Sequence, residues 1–259
     1  MSANDPQAGA GDELYVGYLP TPRRHVRLLR WCVPALLWAL VAVAGALMFA
    51  RRDAGPGVWK LEQPVSYEGL LRCDPYPMLE IDGEGDSRVL MLVEAGKIGA
   101  QSRAKALDLR RVRVNGWEIE REGRRIIELA PDESALQPAE GSTGATLAGP
   151  IVTTEVAAGV FRGEIVDSKC SYGAMKPGEG RTHKSCATLC IKGGIPPVLV
   201  TRDSAGRRRY LLLVGPDGGA CGDEILALVG EPIELRGRLM NWGGFLMLSM
   251  ERGSLERVR

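Results

Sequence analysis

The sequence has few aromatic residues, few histidines and almost no excess charge of either sign. Aromatic residues make up 5% of the 259 residues, and Lys plus Arg (33) nearly equals Asp plus Glu (32). Proteins that bind nucleic acids rely on exposed aromatic side chains and a basic groove. The composition therefore argues against a nucleic-acid partner.

The motifs of several common enzyme and cofactor classes are also missing. The chain has no nucleophile elbow, phosphate-binding loop or His-Glu-x-x-His motif. It has no Cys-x2-Cys pair for thioredoxin-like exchange and no Cys-x2-Cys-His site for haem. A Rieske iron–sulfur centre needs two histidines, and the cysteine-rich segment contains one. We therefore expect a protein that is not an enzyme, although the sequence leaves catalysis open.

One long apolar run lies near the N-terminus, at residues 31–50, and its twenty residues carry no charge. A helix of ~20 apolar residues spans the ~30 Å hydrocarbon core of a bilayer. The run is longer than the ~7–15 residues of a signal peptide, and Phe49-Ala50-Arg51-Arg52 is a poor cleavage site. Arginines are more frequent before the run than after it, which favours a cytoplasmic N-terminus. We predict a cytoplasmic tail (1–28), an uncleaved transmembrane anchor (29–52) and an exported C-terminal region.

The exported region contains a weak internal repeat. Residues 67–71 (YEGLL) are matched by residues 161–165 (FRGEI), and similar apolar strands, a short helix and a hairpin follow each of them. Alternation such as Val112/Val114 is typical of a strand with one buried face. The order is that of a small five-stranded barrel of oligonucleotide-binding (OB) type. We predict a mainly β fold, with two tandem OB-like barrels after the transmembrane helix; one larger β-sandwich is the alternative.

The predicted barrels occupy residues 57–130 and 157–255. Between them, residues 131–156 are rich in Pro, Ala, Gly, Ser and Thr, which is typical of a flexible linker. The second barrel contains an insertion, residues 168–195, between its first two strands, where OB barrels commonly bind ligands. We therefore expect the insertion to be the functional part and the first barrel to be a support.

The insertion carries four candidate metal ligands: Cys170, His183, Cys186 and Cys190. A helix from His183 to about Lys192 turns about 100° per residue, so its His and two Cys share one narrow face. Three sulfurs and one imidazole suit tetrahedral zinc or another soft metal, and copper or iron are the alternatives.

The helix around these ligands has recognisable ends. Thr182 is expected to cap its start, and Gly193 or Gly194 to terminate it. Asp167 and Lys169, which flank Cys170, are interpreted as a solvated strand end.

A disulfide is the competing interpretation, and the exported location favours it over a metal. Cys170 would pair with Cys186 or Cys190, and Cys221 could take the remaining sulfur. His183 would then be an ordinary surface or packing residue. Redox-active thiol chemistry is a third and weaker interpretation, because Cys-x3-Cys is not the spacing of thioredoxin-like proteins.

The segments from Gly163 to Cys170 (GEIVDSKC) and from His183 to Cys190 (HKSCATLC) resemble a family of small bacterial exported proteins. Those OB-like proteins share a V-D-x-x-C…H-x-x-C-A-x-x-C core and have no established biochemical function. The resemblance covers roughly residues 160–250, and the N-terminal region is similar to anchored relatives from proteobacteria. Cys221 lies outside the shared core. The resemblance implies an inner-membrane protein with periplasmic barrels, in the setting of membrane redox proteins.

From these observations we expect an accessory or subunit protein of a respiratory or electron-transfer system, with the insertion binding a metal or docking a partner. Its partners would be the membrane and proteins of the redox complex. One alternative is a redox-active electron carrier or thiol/disulfide protein. Another is a structural spacer with a disulfide-stapled barrel.

Overall fold

The computed structural model describes residues 23–50, 57–81, 88–140 and 151–258. The chain divides into two units, Met1–Asp53 and Ala54–Arg259. Most of the predicted cytoplasmic tail and residues 141–150 of the predicted linker lie outside the described residues.

The first unit contains helix α1 (Arg23–Ala50). Its segment His25–Met48 has a mean hydropathy of 2.1, and none of that window is buried within the structure. Large apolar side chains such as Trp31 and Trp38 are exposed, so no polar face would suit a soluble helix. The helix is long and apolar enough to cross a membrane, as predicted.

The first barrel is a closed sheet in which each strand pairs with two neighbours. The circuit runs β1–β2–β3–β5–β4 and back to β1, and the β3–β5 pair is parallel. A short helix, α2 (Gln101–Ala104), connects β3 to β4. The strands are β1 (Val58–Arg72), β2 (Met78–Ile81), β3 (Val89–Val93), β4 (Arg111–Arg121) and β5 (Arg124–Leu129), with a short strand β6 (Leu136–Pro138) paired to the start of β4.

The second barrel repeats this topology. Its circuit runs β7–β8–β9–β11–β10 and back to β7, with a parallel β9–β11 pair. The strands are β7 (Thr154–Asp167), β8 (Pro197–Arg202), β9 (Arg208–Val214), β10 (Pro232–Trp242) and β11 (Phe245–Met250), with β12 (Glu256–Arg257) paired to the start of β10. The prediction of a mainly β fold with two tandem barrels is confirmed.

Glycines at matching positions of β1 and β7 let the first strand of each barrel pass very close to the neighbouring strand. A Cβ on Gly69 would lie 2.4 Å from the carbonyl oxygen of Glu80. A Cβ on Gly163 would lie 2.3 Å from the carbonyl oxygen of Val200. Only glycine permits such a close approach of two strands, so the repeated glycines mark equivalent points of barrel closure.

The predicted linker is too long. Strand β6 pairs Pro138 with Val112, so residues 131–138 fold onto the first barrel instead of belonging to a flexible connection. The second barrel likewise begins at Thr154, and Ile151 already packs against buried side chains. Composition misled the prediction here because Pro and Ala are compatible with a short edge strand.

The two barrels share a hydrophobic core in addition to the core inside each one. The insertion contributes to this shared core, which makes it part of the packing and not an appendage. Representative members are Met78 and Met91 of the first barrel, Val198 and Leu212 of the second, and Tyr172 and Cys190 of the insertion. Each fully buried side chain of this size contributes ~1.5–3 kcal/mol. We call this contact region the seam.

Candidate metal centre

The insertion folds into a wide helical turn (Cys170–Ala174) and helix α3 (Lys184–Lys192). The predicted helix is therefore present, and Gly193 follows its last residue as expected. The predicted Thr182 cap is wrong: His183 occupies the N-cap position and makes no side-chain capping bond. The imidazole of His183 is nevertheless buried.

The structure places the four predicted ligand residues in two overlapping groups of three that share Cys170. The candidate ligand atoms of Cys170, His183 and Cys186 lie within 4.8 Å of one another, as do those of Asp167, Cys170 and Cys190. A tetrahedral ion with bonds of ~2.0–2.3 Å separates its ligand atoms by about 3.3–3.8 Å. The upper limit for each group is thus about 1–1.5 Å above the separation that an ion requires, and metal binding itself stays a prediction.

The favoured disulfide is not found, because all six cysteines are free. Cys186 and Cys190 lie one turn apart on α3, and Cβ atoms at that spacing are about 5–6 Å apart. A disulfide needs a Cβ separation of about 3.8 Å, so the helix opposes this pair. Cys221, which the sequence left as a possible partner, is free as well, and so is Cys73 of the first barrel.

Asp167 is fully buried, which corrects its interpretation as a solvated strand end. Its Oδ2 lies 3.1 Å from His183 Nε2, and its Oδ1 accepts a 2.8 Å hydrogen bond from the backbone N–H of Cys170. An imidazole that donates one N–H to a carboxylate presents its other nitrogen as a metal ligand. One carboxylate thus orients two candidate ligands.

Lys169 is also buried, and it joins the two barrels. Its ammonium forms an ion pair with Glu128 and donates 2.9 Å hydrogen bonds to the carbonyl oxygens of Glu94 and Gly96. The two hydrogen bonds and the ion pair together compensate the buried charge of the ammonium. The residue before Cys170 is therefore anchored to the first barrel.

Lys97 of the first barrel covers the accessible side of the sulfur cluster. Its Nζ lies 2.6 Å from Cys186 Sγ and 4.0 Å from Cys190 Sγ. The loop that carries it packs on the end of α3, where the N–H of Gly99 donates to the carbonyl oxygen of Gly193 (2.9 Å). Sequence reasoning missed Lys97, since 89 residues separate it from Cys186 and no local pattern marks it.

The thiols influence one another's protonation. A hydrogen bond from Cys170 lowers the pKa of Cys190 to about 7, against the opposing effect of burial, and the charge of Lys97 adds to the lowering. The same hydrogen bond, together with burial, raises the pKa of Cys170. The cluster can therefore hold one thiolate near neutral pH, and thiolate is the form that ligates metals.

Comparison with protein-family models, with curated proteins and with solved structures finds no match to this chain. The class of protein is therefore defined by the fold and the site: an apolar helix followed by two barrels with a Cys/His cluster at their seam.

Proposed function

We propose that this protein is a membrane-anchored accessory or subunit protein of a membrane redox system, and that its cluster holds a metal ion. The ligands would be Cys170, His183, Cys186 and Cys190. The observation that carries the proposal is the convergence of three thiols and an imidazole at a largely buried site, with Asp167 already orienting the imidazole.

Charge balance favours a divalent ion, zinc or iron, over copper(I). Three thiolates, the buried carboxylate of Asp167 and a divalent ion leave two negative charges, and the ammonium of Lys97 beside Cys186 offsets one of them. Copper(I) would leave one further negative charge at a mostly buried site. Zinc also matches a tetrahedral set of sulfur and nitrogen ligands. Because four protein ligands leave no open position for substrate, we propose a structural or partner-docking centre in preference to a catalytic one.

We propose that α1 crosses the bacterial inner membrane with its N-terminus in the cytoplasm and the barrels in the periplasm. The length and apolarity of α1 and the arginines that precede residue 31 support this topology. Partner proteins of the redox system would then meet the seam outside the cytoplasm. A reporter fused after Arg259 that is active only in the cytoplasm would contradict the topology.

The test of the metal centre is the metal content of the full chain, purified in detergent under anaerobic conditions. We expect about one zinc per chain, and Co²⁺ replacement should give sulfur-to-metal charge-transfer bands. Cys170→Ser should remove most of the metal. Cys73→Ser is the matched control, because Cys73 is a buried free thiol of the first barrel outside the cluster. A chain that binds no metal, or binds it equally after Cys170→Ser, would refute the centre.

A redox-active dithiol is the second candidate function, and the hydrogen-bonded pair Cys170 and Cys190 favours it. In this function the pair would form a disulfide by reducing the disulfide of a partner, which becomes two thiols. Equilibration of metal-free protein in thiol/disulfide buffers would detect a reversible Cys170–Cys190 bond. Thiols that stay reduced in these buffers would exclude this function.

A further inference from the structure

The contact between Lys97 and Cys186 is unusually close for a hydrogen bond. Nitrogen donors lie ~2.7–3.2 Å from oxygen acceptors, and sulfur is a larger atom than oxygen. The 2.6 Å between Nζ and Sγ is therefore shorter than an N–H···S bond requires. The two residues are also the accessible part of the cluster: Lys97 is exposed and Cys186 half-buried, whereas Cys170 and Cys190 are buried.

We propose that Lys97 and Cys186 form a modification site, at which dioxygen converts the contact into a covalent Nζ–O–Sγ bridge when no metal is bound. The ammonium of Lys97, the thiolate of Cys186 and one dioxygen molecule give the bridge and one water. The O–O bond breaks, and one oxygen atom forms the new N–O and O–S bonds. The other oxygen leaves as water with two of the ammonium protons. Nitrogen and sulfur each give up two electrons, which together reduce the dioxygen.

Geometry favours this bridge over a disulfide between Cys186 and Cys190. Oxidation of a cysteine requires that the oxidant reach the sulfur, and Cys186 is the most accessible of the three thiols. Its partner on the same helix, Cys190, has an unsuitable Cβ separation for a disulfide. Lys97, by contrast, is already in contact with Cys186.

The loop of Lys97 is held in place from two sides. The carbonyl oxygens of Glu94 and Gly96 accept hydrogen bonds from Lys169, and the N–H of Gly99 donates to Gly193. Closing the bridge therefore orders little additional chain, which lowers its entropic cost.

The bridge would join the barrels covalently and remove one metal ligand. Oxidised protein would then bind metal more weakly than reduced protein. The formation of the bridge does not depend on the proposed metal centre, because it requires only the two side chains and dioxygen.

The test is peptide mapping by mass spectrometry of the metal-free full chain, exposed to air or kept anaerobic, without reduction. In the air-exposed sample we expect a linked pair of peptides containing Lys97 and Cys186, heavier than their sum by one oxygen and lighter by two hydrogens. A thiol reductant should return both peptides unmodified. Lys97→Arg should abolish the link, and Lys192→Arg, which changes an exposed lysine at the end of α3, should not.

Two results would overturn the bridge. One is air-exposed protein in which Lys97 is unmodified and the cluster holds a disulfide. A disulfide is recognised because its linked peptides lack the added oxygen. The other is a link that persists after Lys97→Arg. Neither result bears on metal content, which is measured separately in anaerobic protein.

Discussion

The two barrels share one topology but differ in the connection after their first strand. The first barrel joins β1 to β2 through residues 73–77, whereas the second joins β7 to β8 through residues 168–196. The longer connection supplies all four candidate ligands, yet the first barrel supplies Lys97 above the sulfurs and Glu128 against Lys169. The first barrel, which lacks the insertion, is therefore part of the site and not only a support.

The largest expected effect comes from shortening the β7–β8 connection to about the length of the β1–β2 connection. Deleting residues 172–194 removes Tyr172 and Cys190 from the shared core, and loss of each large buried side chain costs ~2–5 kcal/mol. We expect loss of cooperative unfolding, measured by circular dichroism during heating. Substituting the exposed Met175 by Ser is the control and should change little. An unchanged thermal unfolding transition in the deletion variant would show that the insertion is a dispensable loop.

The second test removes the charge that joins the barrels. Lys169→Met leaves the carboxylate of Glu128 buried without its partner, which costs ~3–5 kcal/mol. Adding Glu128→Leu should recover most of this loss, because the unpaired charge is then gone. The free energy of unfolding in urea measures both variants. The control is Arg207→Met, whose exposed guanidinium pairs with Asp203 at the surface and should change the stability little. Equal losses in the single and double variants would contradict a role in pairing.

The third test concerns Asp167, which has no counterpart at a ligand site in the first barrel. Asp167→Asn removes the charge that orients His183, and changes of this kind lower metal affinity ~10–100-fold. Competition with a chelator measures the affinity, and the Co²⁺ spectrum should shift while the fold persists. Asp203→Asn on the exposed β8–β9 loop is the matched control. An unchanged spectrum with reduced stability would show that Asp167 has only a structural role.

The smallest expected effect is a rise in the stability of the metal-free protein with pH that comes from Cys190 of the second barrel. Cys190 has its pKa lowered to about 7 when folded, and an unfolded thiol has a pKa of ~8.5. A lowered pKa stabilises the folded state above the unfolded value, and this stabilisation is lost as the pH falls through the folded value. We therefore expect the free energy of unfolding to rise between about pH 7 and pH 8.5.

The same experiment has a built-in comparison. Above pH ~8.5 the raised pKa of Cys170 acts in the opposite direction, because the unfolded thiol releases a proton that the folded one retains. Cys190→Ser should flatten the rise. Cys73→Ser should not flatten it, since burial raises the pKa of Cys73 to about 12 and the contribution of Cys73 therefore has the opposite sign. A rise that survives Cys190→Ser must come from other groups.

Local patterns in the sequence were enough for the elements of the fold. The apolar run predicted α1, period-two alternation and the internal repeat predicted the two barrels, and the segment around Cys186 and Cys190 was correctly predicted to be a helix. These properties follow from backbone geometry over a few residues, so one sequence is sufficient to detect them. The Thr182 cap was wrong because helix ends depend on contacts that periodicity does not describe.

The tertiary structure alone decided how the barrels meet and which distant residues reach the cluster. Nothing near Lys97 or Glu128 in the sequence indicates that they contact Cys186 and Lys169, and burial reverses the interpretation of Asp167. The physical reason is that side chains far apart along the chain are brought together by packing of the seam, which depends on the shapes and volumes of many residues at once. The sequence by itself determined the ligand-bearing helix; the seam determined its surroundings.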